Sequence, residues 1–269
     1  MEIIERRSEW LKRYESWKSD HRVSGADVDG HYPFVENKRA PFVPARSALP
    51  MLNLALISSA GAYLDGTEPF DLNAPDGDLT FREIPTEIEA ADLRFAARGY
   101  DSAAVNHDMN AQVPLARLAE FTSNGIIGQL NPAFWSFSGF IPNAARLAEE
   151  MLPKLVERVR RYEVQAALLI PASRLCHQSV ALAARAIEAV GIPTMTLCVD
   201  KEVMERVRAP RAAFYKGKFG SVAGRPGWPE HQRRVLDEAL RWLEPIDQPG
   251  VFNLAVELES SVEEERGER

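Results

Sequence analysis

The sequence predicts an α/β fold with a mostly parallel sheet, on three observations. Short continuous apolar runs at 52–57 (LNLALI), 166–170 (AALLI) and 194–199 (TMTLCV) read as strands buried on both faces. Amphipathic stretches at 144–162, 178–190 and 230–243 read as helices between and after them. Strands alternating with helices pack as a parallel sheet whose crossovers cover its faces.

Residues 2–22 carry Trp10, Leu11, Tyr14 and Trp17 at helical spacing, a stripe that packs on the domain body or on a partner subunit. Residues 25–50, rich in Pro, Gly and polar side chains, predict an extended arm. The strand at 52–57 is bounded by Pro50 and by Ser58, Ser59 and Gly61. A long polar loop follows through Asp65, Gly66, Pro69, Asp71, Pro75, Asp76, Gly77 and Asp78; loops of this length in compact domains are functional or mobile. Strands are expected at 80–84 and at 103–105, the latter ending at His107-Asp108-Met109-Asn110. Pro114 opens a helix over 115–122, and Gly125 closes it. A short strand is expected at 126–130.

The stretch NPAFWSFSGFIPN sets Phe134, Trp135, Phe137 and Phe140 among Ser136, Ser138 and Gly139, too aromatic for a surface loop without consequence. Beyond the helix at 178–190, which Gly191 ends, come a short helix at 201–207 and a strand at 212–215. Six acids and two arginines from Glu257 onward predict a disordered tail. The expectation is a mostly parallel, doubly wound (Rossmann-like) sheet with flanking helices and an N-terminal helical arm. Residues 1–48 form the arm, 49–245 the α/β domain, divisible into two lobes near 143, and 246–269 the acidic tail.

The chain has 269 residues, enough for a sizeable core without disulfides. Its net charge of −7 argues against nucleic acid or an anionic membrane surface as partner. No apolar run approaches the roughly 18–20 residues of a membrane helix, and the charged start MEIIERRSEW has no secretory h-region. Two cysteines, Cys176 and Cys198, fit a reducing cytoplasm. Zinc-ligand spacings, G-x-G-x-x-G, a P-loop and G-x-S-x-G are all absent, so no metal is expected and a typical α/β-hydrolase is excluded.

Ligands of open α/β sheets sit beyond the carboxyl ends of the strands. That rule selects Ser58-Ser59-Ala60-Gly61, Asn106-His107-Asp108, the turn from Pro171 to His177, and the region after Asp200. The third is the strongest, because LLIPASRLCHQS runs from a buried strand into a helix and puts Cys176 near the helix N-terminus. There the dipole can lower a thiol pKa. The alternative is a small buried hydrophobe. Cys198, inside a strand, is expected to be inert. His107-Asp108 is either a loop hydrogen-bonding unit or part of a proton-transfer network. Gly217, Gly220, Gly224 and Gly227, with Lys216, Lys218 and Arg225, form a basic stretch that is either an anion site or a mobile loop.

SSAGAYLDGTEPFDL, DGDLTFREIP, HDMNAQVPLARL, GIIGQL, SFSGFIPN and LLIPASRLCHQSVALAARAIEAVGIPT resemble, in that order, the selenoprotein B subunit of the glycine, betaine, sarcosine and D-proline reductases. The D-proline version is the nearer in length and layout, and the likeness covers roughly residues 49–243. It implies reductive cleavage of the bond between the α-carbon and nitrogen of a small amino acid or derivative. A pyruvoyl-type carbonyl on a partner subunit would activate the amine, a selenol on this subunit would attack, a nearby cysteine would close a selenide–sulfide bond, and a dithiol would reduce it. No cofactor is implied in this chain. In the D-proline version the selenocysteine stands three residues before a cysteine, in a turn at a strand end. Here Cys176 fits the resolving position and Ser173 stands in place of selenocysteine. Ser173 marks a natural paralogue with changed chemistry, a replacement in the expressed chain, or a shifted register.

Two functions of different class follow. One is a reductase-type enzyme or subunit with Cys176, Ser173, His107 and Asp108 as catalytic candidates. Ser58, Ser59, Asn110, Ser136, Gly139 and His177 would then bind the substrate, with Ser58 and Ser59 as donors to a carboxylate. The other is a non-catalytic binding or scaffold subunit that has lost the redox pair; a hetero-oligomer with a pyruvoyl-containing subunit would support the first, and a homo-oligomer that binds a small acid without turnover the second. A third, an isomerase pairing Cys176 with Cys198, requires both thiols to face one pocket.

Overall fold

The computed structural model describes residues 2–20 and 31–256. Helix α1 (Arg7–Asp20) is followed by an irregular arm and a 3-10 turn, Leu49–Met51. Strands β1 (Asn53–Ser58), β2 (Ala62–Leu64), β3 (Arg82–Pro85) and β4 (Leu93–Phe95) lead to α2 (Ala103–His107) and α3 (Leu115–Ser123). Then come β5 (Gln129–Leu130), β6 (Ala133–Ser136) and α4 (Ala144–Arg146), which runs through a π-helical turn, Leu147–Met151, into α5 (Leu152–Arg161). The last elements are β7 (Ala166–Ile170), α6 (Arg174–Glu188), β8 (Thr194–Cys198), α7 (Lys201–Val207), β9 (Arg211–Phe214), α8 (Pro229–Arg241) and β10 (Gly250–Asn253).

One sheet runs in the order β10-β9-β8-β7-β1-β6-β3, with β5 also pairing β1. Every pairing on this path is parallel except β3 with β6. The continuous apolar run of β1 serves both faces. Ala55 and Ile57 face the core made with α1, α5, α6 and α7, while Leu54 and Leu56 face the core made with α3 and α8. The sheet is therefore doubly wound. After β1 the chain builds β6 on one side and then β7, β8, β9 and β10 on the other, so the order reverses at β1 and β7.

The aromatic stripe of α1 packs into its own chain. Trp10, Tyr14 and Trp17 are buried, with Trp10 stacked on Tyr14 at 5.1 Å between ring centroids and its Nε1 donating to Pro33 O at 2.6 Å. Each aromatic of this size removes about 150–250 Å² from water, roughly 4–6 kcal/mol before entropy. Lys18 and Tyr14 both reach Asp76, tying α1 to the long polar loop. The fully buried Arg185 fastens the arm by donating to the carbonyls of Glu2, Ile3, Arg39 and Arg208.

Several expectations are corrected. Residues 103–105 are helical, because Asp101 Oδ1 accepts from Ala103 N–H at 2.9 Å and starts a turn that a three-residue apolar run cannot oppose. His107-Asp108 therefore does not end a strand. Residues 133–136, in the aromatic stretch for which no strand was expected, form β6 between β1 and β3. The small hairpin of β2 and β4 and the edge strand β10 were not anticipated. Helix α6 begins at Arg174, four residues earlier than predicted. The helix end at 21–22, the arm at 25–30 and the acidic tail from 257 lie outside the described residues.

Candidate active site at the ends of β1 and β7

The strand order reverses where Ser58 and Ser59 leave β1 and residues 171–173 leave β7, the position where open α/β sheets bind ligands. Ser173 is the N-cap of α6. Its backbone is extended, and its Oγ accepts from Cys176 N–H at 3.2 Å. The same hydroxyl donates to Cys176 Sγ at 3.0 Å, so the two side chains touch across the first turn. Cys176 Sγ also points at Ser59 O, 3.9 Å away.

Gly139 closes the far wall. A Cβ there would lie 2.5 Å from Ser59 Cβ and 2.9 Å from Cys176 Sγ, so only glycine lets the 138–141 backbone approach the sulfur this closely. Ala60, Ala172, Phe95 and Tyr100 complete the enclosure. Tyr100 donates to Ala60 O at 2.7 Å and packs against the cluster of Ala60, Ala172 and Cys176. Gly99, at φ +79°, threads between Phe140 and Ser173 Oγ.

The sequence suggested a lowered thiol pKa at Cys176. Its surroundings do the opposite. With 1% of its surface exposed, burial pushes the thiol up, and the hydrogen bonds from Ser173 and to Ser59 only partly offset this. The same burial, with Cys176 beside it, raises the Tyr100 hydroxyl. Cys198, at the end of β8, is also fully buried and its thiol is pushed up, first by burial and then by Asp200. It packs with the core of α1, α5, α6 and α7, whereas Cys176 clusters with Ala60 and Ala172; the two thiols do not share a pocket.

His177 is completely buried and bridges two strand-end loops. Its Nδ1 donates to Ser173 O at 2.6 Å, and Nε2 accepts from the N–H groups of Val199 (3.1 Å) and Asp200 (3.3 Å). Burial holds its pKa down to about 4, so the ring is neutral with the proton on Nδ1. Both nitrogens are engaged, which makes His177 a brace for the turn.

The other sequence candidates fall into two groups. Ser58, Ser59 and Ser136 are at the site, but their hydroxyls are committed. Ser58 Oγ donates to Gln112 O, Ser59 Oγ accepts from Ala172 N–H, and Ser136 Oγ accepts from Ala62 N–H. His107, Asp108 and Asn110 stand on another segment. Asp108 accepts from Asn110, Gly227 and Gln232, tying the 224–232 region down. Burial pushes its carboxyl up, but those bonds hold it below the ordinary value. Asn110 Oδ1 accepts from Ala116 N–H at the start of α3. His107 is exposed, beside Gly227.

Sequence reasoning missed the segment 96–101, whose residues Gly99 and Tyr100 cover the turn. The lone glycine in ARGYD was its one signal. It also missed Phe219, and it named Gly220 only as part of the glycine-rich basic stretch. Phe219 sits edge-on to His177 with centroids 5.6 Å apart, and Gly220 N–H donates to Ala172 O at 2.9 Å.

A doubly wound α/β protein with a cysteine capped at the switch point of its sheet defines the class. A family model for glycine/sarcosine/betaine reductase selenoprotein B matches residues 21–172, and the chain belongs to that family. The chain is 30% identical over 209 residues to the D-proline reductase subunit gamma of Acetoanaerobium sticklandii, covering 78% of this chain and 85% of that one. It is 26% identical over 249 residues to the glycine reductase complex component B subunit gamma of Symbiobacterium thermophilum, covering 86% and 55%. To the sarcosine reductase complex component B subunit beta of Peptoclostridium acidaminophilum it is 26% identical over 199 residues, covering 71% and 44%. The chain thus spans most of the first relative and about half the length of the other two. No solved structure matches. Among the described residues no helix is long and apolar enough to cross a membrane.

Proposed function

We propose that this chain is a reductase-complex subunit acting on a small amino acid or a derivative of one, with Cys176 as its reacting group. The contact between Ser173 Oγ and Cys176 Sγ, 3.0 Å, carries the reading. The resemblance puts selenocysteine and its resolving cysteine at these two places. The serine hydroxyl is far less acidic than a selenol and has no base beside it to activate it. It cannot bond to Cys176, so the thiol is left as the nucleophile of the turn.

The step assigned to Cys176 balances as follows. The thiolate attacks the substrate carbon, a carbon–sulfur bond forms, and the carbon–nitrogen bond breaks with the amine leaving as it takes a proton. A thiol of an external dithiol then attacks Cys176 Sγ. The carbon–sulfur bond breaks, the carbon takes a proton, and the dithiol's second thiol releases Cys176. The substrate gains two electrons and the dithiol becomes a disulfide. A pyruvoyl-type carbonyl belongs, in this reading, to a partner subunit of a hetero-oligomer, and no part of the step assigned to Cys176 runs through it. The reducing cytoplasm is the compartment that supplies such a dithiol.

One observation favours the second reading, a binding or scaffold subunit: the thiol is fully enclosed and pushed up by burial. The test is dithiol-dependent consumption of D-proline, sarcosine, glycine and betaine by the protein together with the subunits that copurify with it. Turnover abolished by Cys176→Ala and retained by Ser173→Ala is expected. No turnover, or turnover indifferent to Cys176→Ala, would establish the binding role instead.

A further inference from the structure

Among the described residues three arginines are buried, and they are satisfied differently. Arg185 donates to four backbone carbonyls. Arg211 pairs with the buried Glu188. Arg98, 8% exposed, has neither arrangement. Nη1 donates to Ala74 O at 3.1 Å, and Nε is buried without a partner, as Arg211 Nε also is; what sets Arg98 apart is that no carboxylate is hydrogen-bonded to it, Asp71 acting on it only through space. Among the described residues no carboxylate comes within ion-pair distance of it. A buried cation is costly unless it is paired, and a buried donor left open in a native protein calls for an absent ligand or ion.

Its position says which ligand. The guanidinium lies over the face of Phe140, 4.4 Å from the ring centroid. The edge of that ring meets Gly99, the next residue in the chain. The point where a Gly99 Cβ would stand is 2.6 Å from Phe140 Cδ2 and 3.2 Å from Ser173 Oγ. Arg98, Phe140, Gly99 and Ser173 are therefore contiguous, and Tyr100, next to Gly99 in the chain, packs against the cluster that holds Cys176. Ser58 and Ser59, the donors that the sequence suggested for a carboxylate, already donate to the carbonyls of Gln112 and Ile170.

We propose that Arg98 is the carboxylate-binding residue of this site, taking the α-carboxylate of a small amino acid whose adjacent carbon is then presented to Cys176. The proposal rests on the functional reading above for its substrate class. A planar guanidinium with open N–H donors matches a carboxylate in two-point geometry, which a lysine ammonium does not reproduce. The Phe140 ring fixes the guanidinium plane and offers an apolar flank to the aliphatic part of such a ligand.

The test is binding of D-proline, sarcosine and betaine, each beside its neutral carboxamide, to the purified protein by calorimetry. At least one acid is expected to bind, with its amide markedly weaker. Arg98→Gln should weaken the acid by about 10- to 100-fold, and Arg98→Lys by less. Circular dichroism of both variants establishes that they are folded, and the lysine variant keeps the test open if the glutamine one is not. Equal binding of acid and amide, acid binding unchanged in Arg98→Gln, or no acid bound by the wild type at the highest soluble concentration would each overturn the proposal. Arg98-dependent binding without Cys176-dependent turnover would leave it standing and remove the reductive reading. Turnover that needs Cys176 and ignores Arg98→Gln would do the reverse.

Discussion

Ser173 and Cys176 hold each other twice across one helical turn: the serine Oγ accepts from the cysteine N–H at 3.2 Å and donates to its sulfur at 3.0 Å. The cap that starts α6 is thus also the group in contact with the thiol. An N-cap serine on its own is worth about 1 kcal/mol. Here the same oxygen occupies the place where the resemblance puts a redox partner for Cys176.

Ser173→Ala should lower stability by about 0.5–2 kcal/mol, read from urea denaturation with an unchanged m-value. Ser173→Cys should close a disulfide with Cys176 under a mild oxidant, seen as the loss of two hydrogens in the peptide spanning the turn. If the two sulfurs stay reduced when Cys176 remains accessible to oxidant, the turn does not have the geometry of a redox pair.

His177 should give the protein an acid limb. Its folded pKa is about 4 and its ordinary one 6.5, so between these values the unfolded state binds more protons than the folded one. The stabilisation is therefore complete above pH 6.5 and is lost as pH falls toward 4, by about 3 kcal/mol in all. His231, also held down to about 4 by burial, acts in the same window. Glu188, pushed up to about 7 by burial, opposes the histidines between pH 4.5 and 7, and His177→Gln should flatten the acid limb toward pH 4, measured by denaturation at a series of pH values.

Glu188 and Arg211 lie fully buried 2.5 Å apart, with Thr194 donating twice more to the carboxylate. Glu188→Ala leaves that guanidinium uncompensated and should cost about 3–5 kcal/mol. Replacing both, as Glu188→Leu with Arg211→Met, should recover most of the loss. Denaturant midpoints of the singles and the double give the coupling.

Arg98 should behave differently, because no acid is hydrogen-bonded to it and Asp71 acts on it only through space. Arg98→Met exchanges a desolvated cation for an apolar chain of similar length, so the ligand-free protein should lose less than about 1 kcal/mol or gain. A loss as large as that of Glu188→Ala would show Arg98 to be structural.

Much of the sheet was legible because β1, β7 and β8 are short apolar runs bounded by turn residues, and because α6 has a clean helical period. The rule that ligands sit beyond strand ends pointed to Ser59, Ser173 and Cys176, and the structure brings these three side by side. It failed at His107, since the three apolar residues before it were too few to separate strand from helix, and Asp101 decided the matter locally. Residues Arg98, Gly99 and Tyr100 were not legible. Their roles come from contacts with Phe140, Ser173, Ala60 and Cys176, far apart in sequence, and from a glycine in the left-handed region. The chemistry of Cys176 was misjudged for a related reason: the helix start was visible, the enclosure that desolvates the thiol was not.

The central claim is that the Cys176 turn is a reactive centre under a local cover, the segment of Gly99 and Tyr100, and not part of the rigid core. Cys198, equally buried but inside the sheet, is the internal control. The most direct measurement is the alkylation rate of each cysteine in the native protein as a function of pH, read by peptide mass spectrometry. Cys176 should react at least about tenfold faster than Cys198, through local opening at lower free energy than global unfolding, with an inflection above the free-thiol value of about 8.5. Equal rates, both following global unfolding, would contradict the account and make Cys176 a structural thiol.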